Sequence, residues 1–268
     1  MTSTALADRG GPSADHELVA VLAVLFAAST AVTVAWCGSM AAMGGMPMPG
    51  GWTMSMAWMR MPDQTRTGAA ATFVGMWAVM MVAMMLPSLA PMLSRYRSAL
   101  RTAGATRLGR PTAVVGLAYF AVWTALGVVL YPLGVALADL AMRHDALSRL
   151  VPKAGALVVL AAGALQLTAW KARALACCRG THGPAPRADV AAAWRHGLRL
   201  GLDCSRCCGV LMAVLLVVDV MDLRAMAAVT AAITAERLAP AGAPVARLLG
   251  ILGIALGLVL IVRTIALS

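Results

Sequence analysis

A succession of long apolar runs, each free of charged residues or nearly so, constrains this chain more than any other feature. The first occupies residues 18–36 without a single charge. That length suffices to cross a hydrocarbon core of about 30 Å as a helix. Further runs occupy residues 69–93, 112–138, 154–170, 200–220 and 245–262, and a shorter one 225–235. Hydrophobic types make up 61% of the 268 residues and charged types 12%. An ordinary soluble domain has roughly 45–50% and 25%. This balance excludes a soluble globular enzyme, a disordered chain and a coiled coil. It implies an all-α polytopic helical membrane protein with six or seven transmembrane helices. A secretory signal is the rival for the first run, but it would be shorter and follow a basic segment. Here Asp15 and Glu17 precede it, which favours a retained helix.

The charges between the runs are uneven. Residues 94–111 hold Arg95, Arg97, Arg101, Arg107 and Arg110 with no acid, and residues 171–199 hold six basic residues against Asp189. Loop 139–152 is mixed in sign. Basic loops collect on the cytoplasmic side, so both basic segments are expected in the cytoplasm, with the N-terminus inside. Residues 39–61 then fall outside. The C-terminus lies outside if residues 225–238 cross the membrane, and inside if they only lie in it. The whole chain, 1–268, reads as one integral membrane domain. It carries a polar tail (1–16), a Met-rich outer loop (39–68) and a basic cytoplasmic loop (171–199). The net charge of +11 serves topology. Three Phe and three Tyr give little support to nucleic-acid binding, which usually recruits stacking aromatics. The expected location is a membrane, crossed several times, with lipid as one partner.

Six cysteines occur: Cys37, Cys177, Cys178, Cys204, Cys207 and Cys208. Five fall at or near the predicted cytoplasmic side, where thiols stay reduced and clusters of them bind metal or act in redox chemistry. On a helix, residues i, i+3 and i+4 share a face. Cys204, Cys207 and Cys208 therefore point one way, and Met212 continues that face. Three thiols and a thioether form a soft donor set suited to Cu(I), with Zn(II) the competitor. Arg206 and a nearby helix N-terminus are expected to favour the thiolate. Cys177 and Cys178 precede this helix in the basic loop and join the site if the flanking spans pack together, though adjacent cysteines do not easily both face one ion. Against this stands the bland alternative that free Cys is a common inert buried residue. His182 and His196 read as solvated loop residues.

Residues 39–61, rich in Gly, Pro and Met, show no helical period and read as a loop. Met40, Met43, Met46, Met48, Met54, Met56, Met59 and Met61 place eight thioethers in 22 residues. Thioether sulfur binds Cu(I) without deprotonation, which suits an oxidising outer compartment. Cys37, at the outer end of the first run, is placed to join them. The alternative is that Met is an adaptable interfacial hydrophobe, but an exposed apolar loop has no evident packing use. In the second run Met76, Met80 and Met84 recur every fourth residue, with Met81 and Met85 beside them. They form either a thioether track or an ordinary stripe facing lipid or neighbours. Trp77 reads as packing, and Pro87 and Pro91 are expected to kink or end that helix. Charged groups near membrane depth call for explanation: Asp203 beside the thiols, Asp219 and Asp222 near the outer end of the fifth span, and the Glu236–Arg237 pair. Glu236 is a further candidate donor to the thiol site, with interfacial exposure the alternative for all of them.

Three stretches resemble a known family. Residues 77–88, WAVMMVAMMLPS, resemble the W-x-x-M-x-x-A-M-M-x-P element of the bacterial predicted metal-binding integral membrane proteins. Residues 163–179, GALQLTAWKARALACCR, and 197–212, GLRLGLDCSRCCGVLM, continue the likeness, followed by Met221-Asp222 and Ala235-Glu236-Arg237. The resemblance covers roughly residues 36–240. It implies a small multi-pass protein of the bacterial inner membrane linked to copper handling, in which Cys204, Cys207 and Cys208 match a C-x-x-C-C element and Cys178 the last cysteine of an earlier one. That family has a further Cys where Ala174 stands and a His where Leu200 stands.

The function that follows is Cu(I) capture, chaperoning or delivery, with outer methionines catching the ion and the C-x-x-C-C thiols holding it or passing it on. The partners are then the metal ion and a copper-dependent or metal-delivery protein. A transporter would need the Met76/Met80/Met84 stripe inside the bundle. The alternatives are a metal-free membrane scaffold and a membrane thiol oxidoreductase. G-x-S-x-G, H-E-x-x-H and P-loop patterns are missing, so hydrolase chemistry is disfavoured and no enzyme activity is expected.

Overall fold

The computed structural model describes residues 12–60, 64–179, 189–240 and 242–266. Eight helices account for most of them: α1 (Pro12–Ala42), α2 (Arg66–Thr102), α3 (Gly109–Arg143), α4 (Asp145–Gln166), α5 (Ala169–Arg179), α6 (Val190–Val218), α7 (Leu223–Leu238) and α8 (Gly242–Ala266). All except α5 and α7 are long and apolar enough to cross a membrane. Their outward surfaces expose large aliphatic side chains along α1, α3, α4 and α8. An apolar belt of that extent needs a cover other than water.

The helices outrun the apolar stretches that announce them. Helix α2 begins at Thr65, whose hydroxyl accepts from Gly68 N at 3.0 Å, and does not end at Pro87 or Pro91. Residues 86, 88 and 89 are buried there, and Ser88 Oγ bonds the carbonyl of Met85 at 3.0 Å. Neighbouring helices and hydroxyls commonly offset proline breaks in membrane helices. The arginines at 95, 97 and 101 therefore sit on helix, not loop. Helix α6 begins at an aspartate cap, Asp189 Oδ1 accepting from Ala192 N at 2.7 Å, ten residues before its apolar run. The expected loop 171–199 thus contains most of α5 and the first turns of α6, and the expected loop 139–152 is mostly helical.

Packing follows chain direction. Trp77 of α2 lies against Gly127 of α3, and Phe73 against Tyr131, so α2 and α3 run antiparallel. Helices α3 and α6 run parallel, with Gly197 against Val115 and Gly201 against Val122. Glycine at both positions lets the backbones meet: a Cβ on Gly197 would stand 2.4 Å from the carbonyl oxygen of Val115. Helix α8 packs antiparallel on α4 through Gly250, Gly253 and Gly257 facing Gly163 and Leu160. Small residues give close helix approach where apolar burial supplies little driving force.

Residues 39–60 are more ordered than their composition suggests. Strands β1 (Met46–Met48) and β2 (Trp52–Met54) form an antiparallel hairpin in which Met46 pairs with Met54. Gly50 and Gly51 turn it with φ of 102° and 73°, values that favour residues lacking Cβ. Trp52 Nε1 donates to the Ser148 carbonyl at 3.0 Å, and Ser148 Oγ donates to the Pro49 carbonyl at 2.8 Å. The hairpin is thereby pinned to the start of α4, and its end of the bundle is called the hairpin end below.

Candidate functional site

Helix α6 carries Cys204, Cys207 and Cys208, all fully buried. They lie near the middle of this 29-residue helix, about four turns from its N-terminus at 3.6 residues per turn. The expected help from a helix N-terminus fails, because that field fades within one turn. Arg206 also points elsewhere, exposed and 3.6 Å from Asp203.

The cation at the thiols is Arg237 of α7. Its Nη1 donates to Cys204 Sγ at 3.2 Å and to Ser88 Oγ at 2.8 Å, and its Nη2 lies 2.9 Å from Met92 Sδ. Tyr119 of α3 donates its hydroxyl to Cys204 Sγ at 2.9 Å. Cys204 and Cys208 sulfurs are 3.7 Å apart. One thiol thus meets groups from α3 and α7, and α2 reaches the same guanidinium through Ser88 and Met92. The glycine contact between α3 and α6 makes this possible, since Gly201 lets the Tyr119 backbone approach.

Helix α5 adds Cys178. It is buried in the same core as Cys204 and Cys207 and stands beside them. Cys177 faces outward and is exposed. Lys171, one end of α5, is fully buried and donates to Glu236 Oε2 at 2.6 Å and to the Cys207 carbonyl at 2.7 Å. Gln166 Nε2 donates to Glu236 Oε1 at 2.6 Å. Glu236 is therefore engaged by lysine and amide rather than turned to the thiols. The triad ties α4, α5 and α7 to α6 and fixes where Cys178 stands.

Met212 is buried one turn beyond Cys208. Met76, Met80, Met81, Met84 and Met85 are buried inside the bundle, not facing lipid. The Met-rich segment divides. Met48 and Met54 pack with Ala138 and Ala141 of α3, which gives this loop the packing use that its sequence did not suggest. Met43 and Met46 are exposed, and Met40, Met56 and Met59 half-buried. Cys37 is buried at the hairpin end. His196 is exposed, its ring stacked on Tyr96 with centroids 5.0 Å apart. Met61 and His182 lie outside the described residues. Among the described residues, no three Cys, His, Asp or Glu side chains form a ready-made cage for an ion. The thiols stand as close neighbours, and a shared ion would require them to turn toward it.

Sequence reasoning missed Ser88, Met92, Tyr119, Gln166 and Lys171, and did not connect Arg237 with Cys204. The signal available was the presence of Lys171 and Glu236–Arg237 in or beside apolar runs, since intramembrane charges mark functional or paired positions.

Residues 74–260 match the model of the PpoB2 family, described as a copper chaperone. The chain belongs to this family. The match takes in α3 through α7 entirely and most of α2 and α8, so every residue of the thiol cluster and its charged neighbours lies within it. Comparison with curated proteins and with solved structures gives no match.

Proposed function

We propose that this copper chaperone family member is a multi-pass protein of the bacterial inner membrane that binds Cu(I) at Cys204, Cys207, Cys208 and Cys178, with Met212 flanking, and passes it on. Copper is cargo here. The observation that carries the proposal is the meeting of four buried thiols from α5 and α6 beside one buried guanidinium. Soft sulfur donors favour Cu(I), with Zn(II) the weaker fit in a site so rich in sulfur. A buried cation needs compensation from its neighbours, and Cys204 Sγ, accepting from Arg237 Nη1, supplies part of it while no ion is held. A bound cation then competes with Arg237 for the same sulfur. That competition suits temporary holding more than permanent retention.

The sidedness follows from charge. Arg95, Arg97, Arg101, Arg107, Arg110, Arg195 and Arg199 gather at the end opposite the hairpin, which makes that end cytoplasmic. The hairpin end then faces outward with its exposed methionines. The buried Met76–Met85 stripe, lying between the ends, also suits movement of the ion through the bundle.

Anaerobic metal analysis of the purified protein after Cu(I) or Zn(II) loading tests the proposal. Wild type is expected to retain copper in stoichiometric amount, and Cys204→Ser/Cys207→Ser/Cys208→Ser to lose the equivalent held at these thiols. Equal retention by both proteins overturns a thiol site. Absence of metal from both, with a disulfide that cycles with redox state, points instead to thiol oxidoreductase chemistry.

A further inference from the structure

At the hairpin end a cleft of about 420 Å³ opens between the end of α1, the hairpin segment and the turn joining α6 to α7. Its soft donors come from all three: Cys37 and Met40 from α1, Met54 and Met56 from the hairpin segment, and Met221 from the turn. Cys37 Sγ lies 4.0 Å from Met221 Sδ, joining residues 184 apart in sequence. Asp219 stands on the same wall, and its Oδ1 accepts from Met221 N at 2.9 Å, which fixes the turn that presents the thioether. The remaining charge on the wall is one further carboxylate, Asp222, and Arg224.

We infer that this cleft is a second, separate binding site for a soft monovalent ion, Cu(I) or Ag(I), with Cys37 and Met221 as its central ligands. Cys37, Met40, Met56 and Met221 set one thiol and three thioethers around one cleft, a donor set that hard cations do not favour and soft ones do. Thioethers need no deprotonation, so at most one proton leaves when the ion binds. Packing alone does not account for the arrangement: Met40 and Met56 are only half-buried and border open space. The cleft is also remote from the thiol cluster. Val218, where α6 ends beside it, is ten residues from Cys208, the nearest of the α6 thiols, about 15 Å at 1.5 Å rise per residue. This inference rests on the copper reading of the protein and deepens it, by supplying a receiving site at the opposite end.

The test separates the two sites. The probe is Cu(I) alone, titrated anaerobically into the full chain in detergent against a chromophoric Cu(I) chelator. In the Cys204→Ser/Cys207→Ser/Cys208→Ser background one equivalent is expected to remain. Adding Cys37→Ser and Met221→Leu to that background is expected to weaken this equivalent at least about tenfold, a loss of 1.4 kcal/mol or more. Met40→Leu/Met56→Leu, which changes only half-buried side chains, is expected to weaken it in the same direction without altering the melting temperature. If the triple background binds nothing while wild type binds copper, the second site is refuted and the thiol site stands. If the equivalent persists undiminished with Cys37 and Met221 replaced, the cleft is likewise refuted. If Cys37→Ser/Met221→Leu alone removes one of two equivalents from otherwise wild-type protein, both sites stand.

Discussion

Two adjacent cysteines meet opposite fates, and the difference is worth a direct test. Helix α5 turns Cys178 into the thiol cluster and Cys177 to the exterior. Cys178→Ser is expected to cut Cu(I) affinity about tenfold or more, within the range by which loss of metal-site partners usually acts, whereas Cys177→Ser leaves it unchanged; chelator competition reads both. The sequence showed that only one of the pair suits a single ion, and the family likeness named Cys178. It did not show Lys171 beneath them. Lys171 and Glu236 are fully buried partners at 2.6 Å, and breaking such a pair from one side costs roughly 3–5 kcal/mol because a charge is left without compensation. Lys171→Met is therefore expected to lower the melting temperature in detergent sharply. Lys171→Met/Glu236→Gln should recover much of that loss. A double variant as unstable as the single one would assign the damage to the lost contact with the Cys207 carbonyl instead.

Helices declare their existence through apolar runs but not their ends or neighbours. Every long run in this sequence became a helix, because buried or lipid-facing backbone must satisfy its own hydrogen bonds. The ends were misplaced where polar residues extend a helix past the apolar core, as Thr65 and Asp189 do by capping. Prolines misled for the same reason that they are tolerated: Pro87 and Pro91 sit where α2 is held by its neighbours. Contacts between elements were illegible because they rest on glycines that look alike in sequence. Gly197 touches α3, whereas Gly209, three turns on, has open space where a Cβ would stand. Gly197→Ala must push apart α3 and α6, at about 1–3 kcal/mol for overpacking, and is expected to lower both the melting temperature and copper retention by moving Tyr119 from Cys204. Gly209→Ala is expected to do neither, and to gain up to about 1 kcal/mol from helix propensity. Equal effects at the two positions would refute the account of how α3 and α6 assemble the site.

The molecule as a whole is polar along its axis. One end carries the methionine hairpin, the cleft and charges of both signs; the other gathers a run of arginines and the exposed Cys177. The thiol cluster lies between, where α7 descends from the hairpin end to bring Arg237 against Cys204. At 1.5 Å per residue its 16 residues cover about 24 Å, which explains why the sequence left open whether this segment crosses. Helix α8 then returns antiparallel to α4. The direction in which the proposed function would pass copper depends on which end faces the cytoplasm, and the exposed cysteine makes this measurable. In right-side-out vesicles a membrane-impermeant thiol reagent is expected to spare Cys177 and to label it once the vesicles are inverted. Met43→Cys in a Cys177→Ser background, exposed at the opposite end, is expected to show the reverse. Labelling of both from the same side would contradict the axis. Labelling with the two sides exchanged would keep the axis, turn the molecule over, and make the hairpin cleft a site facing the cytoplasm.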